Sequence, residues 1–402
     1  MRNMNPRGWG LVLAVAVLVS GCGEGTQVVS TPTAASLADT PPMGWNTWNH
    51  FACHIDEALI RASADAIVES GMRDAGYRYV NIDDCWQGER DAGGALQANP
   101  QHFPGGIPAL ADYVHARGLK LGIYATPGSH TCANLSGTYP GHLGSLGHEE
   151  QDARTFAAWG VDYLKYDWCG ADKDGLTEIP AFTQMSAALR ATGRPVVYSL
   201  SEYGQGKPWL WGGSAGANLW RTTPDIVDLW GRVPAILVKQ VPITGYARPG
   251  AWNDPDMLEV GNGGMTDDEY RTHFSMWAVL NAPLLAGNDV RSMTDATKAI
   301  LLNREVIAVD QDWGGTAGFR LRDDGTAEVW EKPMSDGSVV AALLNLGEQP
   351  ADIAVTAAEL GLPAASTYRA RDLWAHADRT IGAAIQATVP RHALVMYRID
   401  AP

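Results

Sequence analysis

Between Pro42 and Asp312, short apolar runs alternate with amphipathic stretches, and this alternation constrains the fold more than any other feature of the chain. Candidate strands lie around Met43 to Trp45, Tyr79 to Asp83, Leu119 to Tyr124, Val161 to Tyr166, Val196 to Leu200, Asn218 to Arg221, Ala251 to Asp254 and Pro283 to Ala286. Helical patterns run over Glu57 to Asp74, Pro108 to Arg117, His148 to Trp159, Ala181 to Thr192 and Asp267 to Leu280. Eight such units predict a (β/α)8 TIM barrel over 41–312, for which about 250 residues is typical. After Trp313 the texture changes to strand-like runs separated by Asp323-Asp-Gly and Ser335-Asp-Gly turns. Residues 313–402 therefore read as a C-terminal antiparallel β-domain.

The first residues stand outside this pattern. Arg2 and Arg7 precede an apolar run, Leu11 to Val19, that is short for a membrane span and ends in Val19-Ser-Gly-Cys22. That ending resembles a bacterial lipobox, so 1–22 is expected to be a lipoprotein signal peptide with Cys22 as the lipidation site, and 23–40 a flexible tether. The protein would then be exported and held at a membrane only through that anchor. If Cys22 carries lipid, Cys53, Cys85, Cys132 and Cys169 remain. An even number in an exported chain suggests two disulfides, and the spacing leaves three connectivities open. A zinc site would want a Cys-x-x-Cys pair, which is missing, and His50 and His54 sit in a loop-like stretch. No metal or cofactor is expected.

The formal net charge of -15 argues against a nucleic-acid partner, because no basic stripe is available to neutralise phosphates. Fifteen tryptophans hint at flat apolar platforms of the kind that suit sugar rings.

The polar residues cluster at strand ends. The second strand ends in Asp83-Asp-Cys-Trp, the fourth in Lys165-Tyr-Asp167, the sixth in Arg221-Thr-Thr-Pro-Asp225 and the seventh in Asp254-Pro-Asp256-Met257. An isolated Lys-x-Asp reads as a strand-end salt bridge. Four strands delivering charges to one rim read as a site, because the C-terminal mouth of a parallel barrel is where catalysis occurs. Carboxylates with one lysine and one arginine suit a polyhydroxylated substrate, whose hydroxyls both donate and accept. Cleaving a glycosidic bond takes two acids: one attacks the anomeric carbon, and the other protonates the leaving oxygen and then activates water. Lys165 is placed to keep Asp167 ionised, and the second acid is expected to have a raised pKa.

The motifs Met43-Gly-Trp-Asn-Thr-Trp-Asn, Asp83-Asp-Cys-Trp, Leu121-Gly-Ile-Tyr, Glu149-Glu-Gln-Asp-Ala, Tyr163-Leu-Lys-Tyr-Asp, Trp220-Arg-Thr-Thr-Pro-Asp-Ile and Trp252-Asn-Asp-Pro-Asp-Met resemble glycoside hydrolase family 27, mainly α-galactosidases and α-N-acetylgalactosaminidases. The resemblance runs from Pro42 to the C-terminus. It implies a (β/α)8 barrel followed by an antiparallel β-sandwich, and a retaining exo-glycosidase acting on galactose-containing glycans. It further implies Asp167 as nucleophile and Asp225 as acid/base, with Asp83 and Asp84 binding O4 and O6 of galactose. Lys165 would contact O3 and O4, Arg221 and Asp256 would lie near O2 and O3, and Trp45, Tyr124 and Met257 would line the pocket. The same resemblance pairs Cys53 with Cys85 and Cys132 with Cys169.

One departure bears on specificity. Ser201-Glu202-Tyr203 stands where many members read Cys-Glu-Trp, in the loop that recognises the substituent at C2. Ser201 and Glu202 are therefore expected to contact substrate, and Ser201 keeps an α-N-acetylgalactosaminidase in view. A β-L-arabinopyranosidase is disfavoured by retention of both Asp83 and Asp84. The readings from other classes are a glycan-capturing surface lipoprotein without catalysis and a metal-dependent barrel hydrolase. The first has no need of both Asp167 and Asp225, and the second lacks clustered histidines at the strand ends.

Overall fold

The computed structural model describes residues 37–400. The leader, Cys22 and most of the expected tether lie outside the described residues. The parallel strands β1 (Met43–Asn46), β2 (Tyr79–Asn81), β3 (Lys120–Ala125), β4 (Tyr163–Asp167), β5 (Val197–Ser201), β6 (Leu219–Arg221), β7 (Trp252–Asp254) and β8 (Leu284–Ala286) form one sheet in the order β7-β6-β5-β4-β3-β2-β1-β8. The sheet closes through the segment after β7: Leu258 N donates to Leu285 O at 2.8 Å, and Gly287 N donates to Leu258 O at 2.9 Å. This is a barrel, as the alternation predicts.

The register sets which side chains point inward. Tyr163 pairs with Val197, Lys165 with Ser199 and Asp167 with Ser201, so alternate residues of β4 climb the barrel interior from an aromatic floor to the charged mouth. Tyr79, Tyr163, Leu219 and Trp252 make that floor, packed by Leu37, Ala38 and Trp313. The Trp252 indole donates to Ala38 O at 2.7 Å. The end of the expected tether is thus bonded to the barrel.

Four helices of the barrel lie close to the predicted spans: Gly106–His115, Glu149–Ala158, Glu178–Ala191 and Asp267–Val279. The span expected over Glu57 to Asp74 divides into Glu57–Glu69 and Met72–Ala75, with Gly71 in a left-handed conformation between them. The fifth unit departs from the expected repeat, because β5 and β6 are joined by a glycine-rich loop holding only the 3-10 turn Pro208–Leu210. Glycine opposes helix formation, and at Gly204 a Cβ would lie 2.2 Å from Thr222 O. The loop is packed that closely against the segment after β6.

In the C-terminal region, β9 (Phe319–Asp323), β10 (Ala327–Pro333), β11 (Val339–Asn345), β12 (Ala351–Thr356), β13 (Tyr368–Asp372), β14 (Ala377–Ile381), β15 (Ala384–Val389) and β16 (Leu394–Ile399) are antiparallel. A sheet in the order β14-β13-β16-β11-β10-β9 is covered on one face by the β12-β15 pair. Its other face joins the main core. This explains the uninterrupted apolar run of β11: Ala341 and Leu343 pack under β12-β15, while Val340, Ala342 and Leu344 pack against the barrel side.

Candidate active site

The carboxyl ends of the strands surround a cavity of about 520 Å³ lined by Asp83, Asp84, Tyr124, Cys132, Lys165, Asp167, Arg221, Asp225, Asp256 and Met257, all anticipated from sequence. Several lining residues were not: Tyr203, Glu259, Trp48, Asn49, His50 and Asn262 among them.

Asp167, the last residue of β4, is buried. Its Oδ1 accepts a 2.7 Å hydrogen bond from the Tyr203 hydroxyl, and its Oδ2 lies 3.3 Å from Cys132 Sγ. Burial pushes its pKa up; Lys165 and the Tyr203 hydrogen bond oppose this, while Asp225 and Asp83 add to it. Lys165 makes its direct ion pair with Asp83, at 2.9 Å, and acts on Asp167 through space. Burial disfavours its ammonium, yet the two carboxylates hold its pKa above the ordinary lysine value.

Asp83 Oδ2 also accepts from Asn46 Nδ2 at 2.7 Å, and Asp83 Oδ1 accepts from Asp84 N at 2.9 Å. Asp84 is bound by backbone donors from Cys85 and from Ala133, at 2.7 and 2.8 Å. Even so, burial and neighbouring Asp83 raise its pKa to about 6. The adjacent acids are therefore individually satisfied, which is how a like-charged pair survives at the end of a buried strand.

Disulfides join Cys53 to Cys85 and Cys132 to Cys169, with Cα separations of 5.2 and 5.1 Å. These are the pairings that the resemblance implied. Among the described residues, Cys132, Asp167 and Cys169 are the one cluster of metal-type ligand atoms. Both sulfurs are committed to the bridge, so no thiolate is available there.

Arg221 sits between the other acids. Its Nη2 lies 2.9 Å from Asp225 Oδ1, 2.9 Å from Asp256 Oδ2 and 3.0 Å from Thr223 O. Asp256 is buried at a φ of 92°, with its carboxylate bound by the Met257 and Ile226 amides at 2.8 Å each. Burial raises its pKa to about 6 against the pull of Arg221. Asp225 behaves otherwise than expected. Desolvation pushes its pKa up, but Arg221 and Lys165 outweigh it, and the group is held below the usual value with its side chain 62% exposed.

Cys85, Tyr203 and Asp256 all have positive φ, at 79°, 64° and 92°. Each follows a barrel strand; Tyr203 and Asp256 line the cavity and Cys85 directly follows Asp84, which does, so local strain redirects the chain around the site.

Three expected substrate contacts lie elsewhere. Trp45 is fully buried and donates to Asn288 O at 2.7 Å; Trp48, which opens the short helix Trp48–Phe51, lines the cavity instead. Ser201 does not line the main cavity but borders a void of about 20 Å³ whose lining includes Ser199, Tyr163 and Asp254 together with Lys165, Arg221, Asp256 and Met257 of the cavity. Its position follows from pairing with inward-facing Asp167. Glu202 alternates to the opposite face, is buried, and accepts from Gly206 N at 2.6 Å. Burial raises its pKa to about 7. Glu259 has a similar shift, to about 7 by burial, but it lines the cavity and accepts from Asn49 and Asn262 at 2.6 Å each.

The family model described as "Alpha galactosidase A" matches residues 40–312, and that described as "Alpha galactosidase C-terminal beta sandwich domain" matches 324–399. The chain is 50% identical over 365 residues to alpha-galactosidase 2 of Arabidopsis thaliana, covering 90% of each chain. It is 47% identical over 364 residues to alpha-galactosidase A of Cellvibrio japonicus, covering 88% of this chain and 85% of that one. The crystal structure of alpha-galactosidase I from Mortierella vinacea superposes with a TM-score of 0.86 at 38% identity, over 91% of this chain and 98% of that chain. With both domains matched in order and the acids converging on one cavity, the chain belongs to the α-galactosidase family of glycoside hydrolases, family 27.

Proposed function

We propose that this protein hydrolyses terminal α-D-galactosyl residues from oligosaccharides, polysaccharides or glycoconjugates with retention of configuration. The observation that carries the reading is the convergence of Asp167 and Asp225 on one cavity beside the Asp83–Lys165 pair. Asp167 Oδ2, the oxygen not engaged by Tyr203, bonds to the anomeric carbon as the bond from that carbon to the leaving oxygen breaks. Asp225 supplies the proton to that oxygen. In the second half, Asp225 removes a proton from water, the water oxygen bonds to the anomeric carbon, and the bond to Asp167 breaks, restoring both acids.

For Asp225 to act as an acid, its pairing with Arg221 must loosen. Arg221 and Asp256 are suited to turn to the O2 and O3 hydroxyls, which would spread the guanidinium charge and let desolvation by the sugar raise the Asp225 pKa. Asp83, Asp84 and Lys165 offer acceptors and a donor for O4, O6 and O3, with Tyr124 and Met257 closing the apolar side. Galactose is favoured over arabinopyranose by the second acid, Asp84. Ser201 does not line the main cavity but borders a void that shares Lys165, Arg221, Asp256 and Met257 with it, so the N-acetylgalactosamine alternative is left to the substrate comparison below.

Export is supported by the two disulfides, and tethering through Cys22 by the lipobox-like leader. The deciding experiment compares an aryl α-galactoside, α-N-acetylgalactosaminide and β-L-arabinopyranoside in parallel. Preference for either of the last two would overturn the galactose reading.

A further inference from the structure

The two catalytic acids are held in different ways. Asp167 ends a barrel strand and is buried among its partners. Asp225 stands on the loop between β6 and the helix Arg232–Gln240, and its carboxylate has one side-chain hydrogen bond, from Arg221. Its placement therefore depends on what holds the loop.

Along 225–230 the residues alternate. Asp225, Val227 and Leu229 are exposed, whereas Ile226 is buried and Asp228 and Trp230 are half-buried. Each inward residue is anchored to a different element. Ile226 N donates to Asp256 Oδ2 at 2.8 Å. The Asp228 carboxylate accepts from the Tyr270 hydroxyl, 2.8 Å from each oxygen. The Trp230 indole stacks on the imidazole of His392, with centroids 4.6 Å apart and planes 22° from parallel. The first two anchors belong to the barrel. The third is in the turn between β15 and β16 of the C-terminal domain.

His392 is itself fixed. It is buried, its Nδ1 lies 2.6 Å from Glu269 Oε1 and its Nε2 lies 3.1 Å from Glu348 Oε1. Its carbonyl accepts from Thr272 Oγ1 at 2.9 Å. Glu269 and Thr272 lie on the helix Asp267–Val279, which also carries Tyr270. One helix thus grips His392 and Asp228 together, and the imidazole is presented flat to Trp230. A side chain locked at both ring nitrogens is a rigid platform, unlike a surface aromatic contact.

We propose that Trp230 and His392 are a positioning pair for Asp225, so that the C-terminal β-domain sets the geometry of proton transfer. The inference rests on Asp225 being the acid/base. A proton donor must approach the leaving oxygen within hydrogen-bond reach, and displacement of about 1 Å can reduce rate by about 100-fold. Loosening the outer anchor would let the exposed end of the loop wander while the nucleophile, held by the barrel, stays in place.

The test is a leaving-group comparison on Trp230→Ala, His392→Ala and the double variant. Substrates are raffinose, whose leaving sugar needs protonation, and 2,4-dinitrophenyl α-galactoside, whose leaving group does not. Positioning predicts a loss in kcat/KM, which reports the leaving-group step, on the order of 10-fold to 100-fold on raffinose with less than about 3-fold on the dinitrophenyl substrate, and single variants that do not add in the double. Trp230→Phe, which keeps a ring on the platform, should recover most of the raffinose rate. Equal losses on both substrates, or none, would overturn the proposal. Should both alanine variants fail to fold, the same ratio measured on Trp230→Leu and His392→Asn, which remove the ring stacking or one ring-nitrogen contact at smaller loss of volume, decides it. Asp225→Ala run on the same substrates separates the two readings: without leaving-group dependence there, the acid assignment fails; with it there and not in the Trp230 variants, the positioning role fails.

Discussion

The Tyr203 hydroxyl donates to Asp167 Oδ1 at 2.7 Å and at the same time lies 3.4 Å from Cys169 Sγ and 3.5 Å from Cys132 Sγ. One phenol therefore ties the proposed nucleophile to the disulfide beside it. The bond occupies one carboxylate oxygen and leaves the other for attack. It also stabilises the ionised form of a group that burial pushes toward protonation.

Removing that donor should move the acidic limb of the activity profile. Asp167 must be ionised to attack, and Tyr203→Phe removes a bond made to its charged form, so its pKa rises. The acidic limb of kcat/KM then shifts to higher pH, by about one to two units, because a hydrogen bond to a charged group contributes about 1.5–3 kcal/mol. A pH series on an aryl α-galactoside checks this. An acidic limb that stays where it is in the wild type would mean that Tyr203 does not tune the nucleophile.

Replacing the acid should sort substrates by leaving group. Asp225→Ala is expected to lose about 100-fold to 10,000-fold on raffinose and far less on a dinitrophenyl galactoside, since general acid catalysis contributes on that scale only where protonation is needed. The ratio of the two kcat/KM losses is the measurement. Equal losses would count against Asp225 as the proton donor.

Most of the catalytic rim was legible because charge at the end of an apolar strand is costly unless it faces a cleft. Asp83, Lys165, Asp167 and Arg221 were found that way. What was not legible depends on direction. Ser201 ends β5 on the inward face and borders a small void beside the cavity, whereas Glu202, the next residue, turns away and is buried against Gly206 N. Tyr203 comes next and reaches Asp167 through a backbone turn at positive φ, which the residue type does not announce. Glu259 belongs to the segment that closes the barrel after β7, and its contact with Asn49 spans 210 residues of sequence. No helical pattern is read between the fifth and sixth strands, and the glycines that follow Glu202 give the physical reason why the repeat lapses there.

The bridge beside Asp167 should matter for rate as well as for stability. Cys132 and Cys169 close a loop of separation 37, and Cys132 Sγ contacts Asp167. Opening the bridge in Cys132→Ser/Cys169→Ser is expected to cost about 2–4 kcal/mol of stability. It also frees the wall against which Tyr203 and Asp167 rest. Thermal unfolding and kcat measured well below the transition separate the two effects. Unchanged turnover with a lowered Tm would restrict the bridge to stability.

Glu202 offers a stability test that distinguishes burial from substrate contact. Its carboxyl is raised to about 7 by burial, with Glu178 adding to the shift. The folded state therefore holds a proton that the unfolded chain releases near pH 4.5. For such a raised acid, the stabilising contribution of the bound proton is present below the unfolded value and is lost as pH rises toward the folded value. Glu202→Gln keeps an acceptor for Gly206 N without the ionisation cost. Its Tm relative to wild type should therefore rise between pH 5 and pH 8, with activity on the aryl galactoside retained. A large fall in kcat/KM with no pH-dependent gain in Tm would instead make Glu202 a substrate ligand.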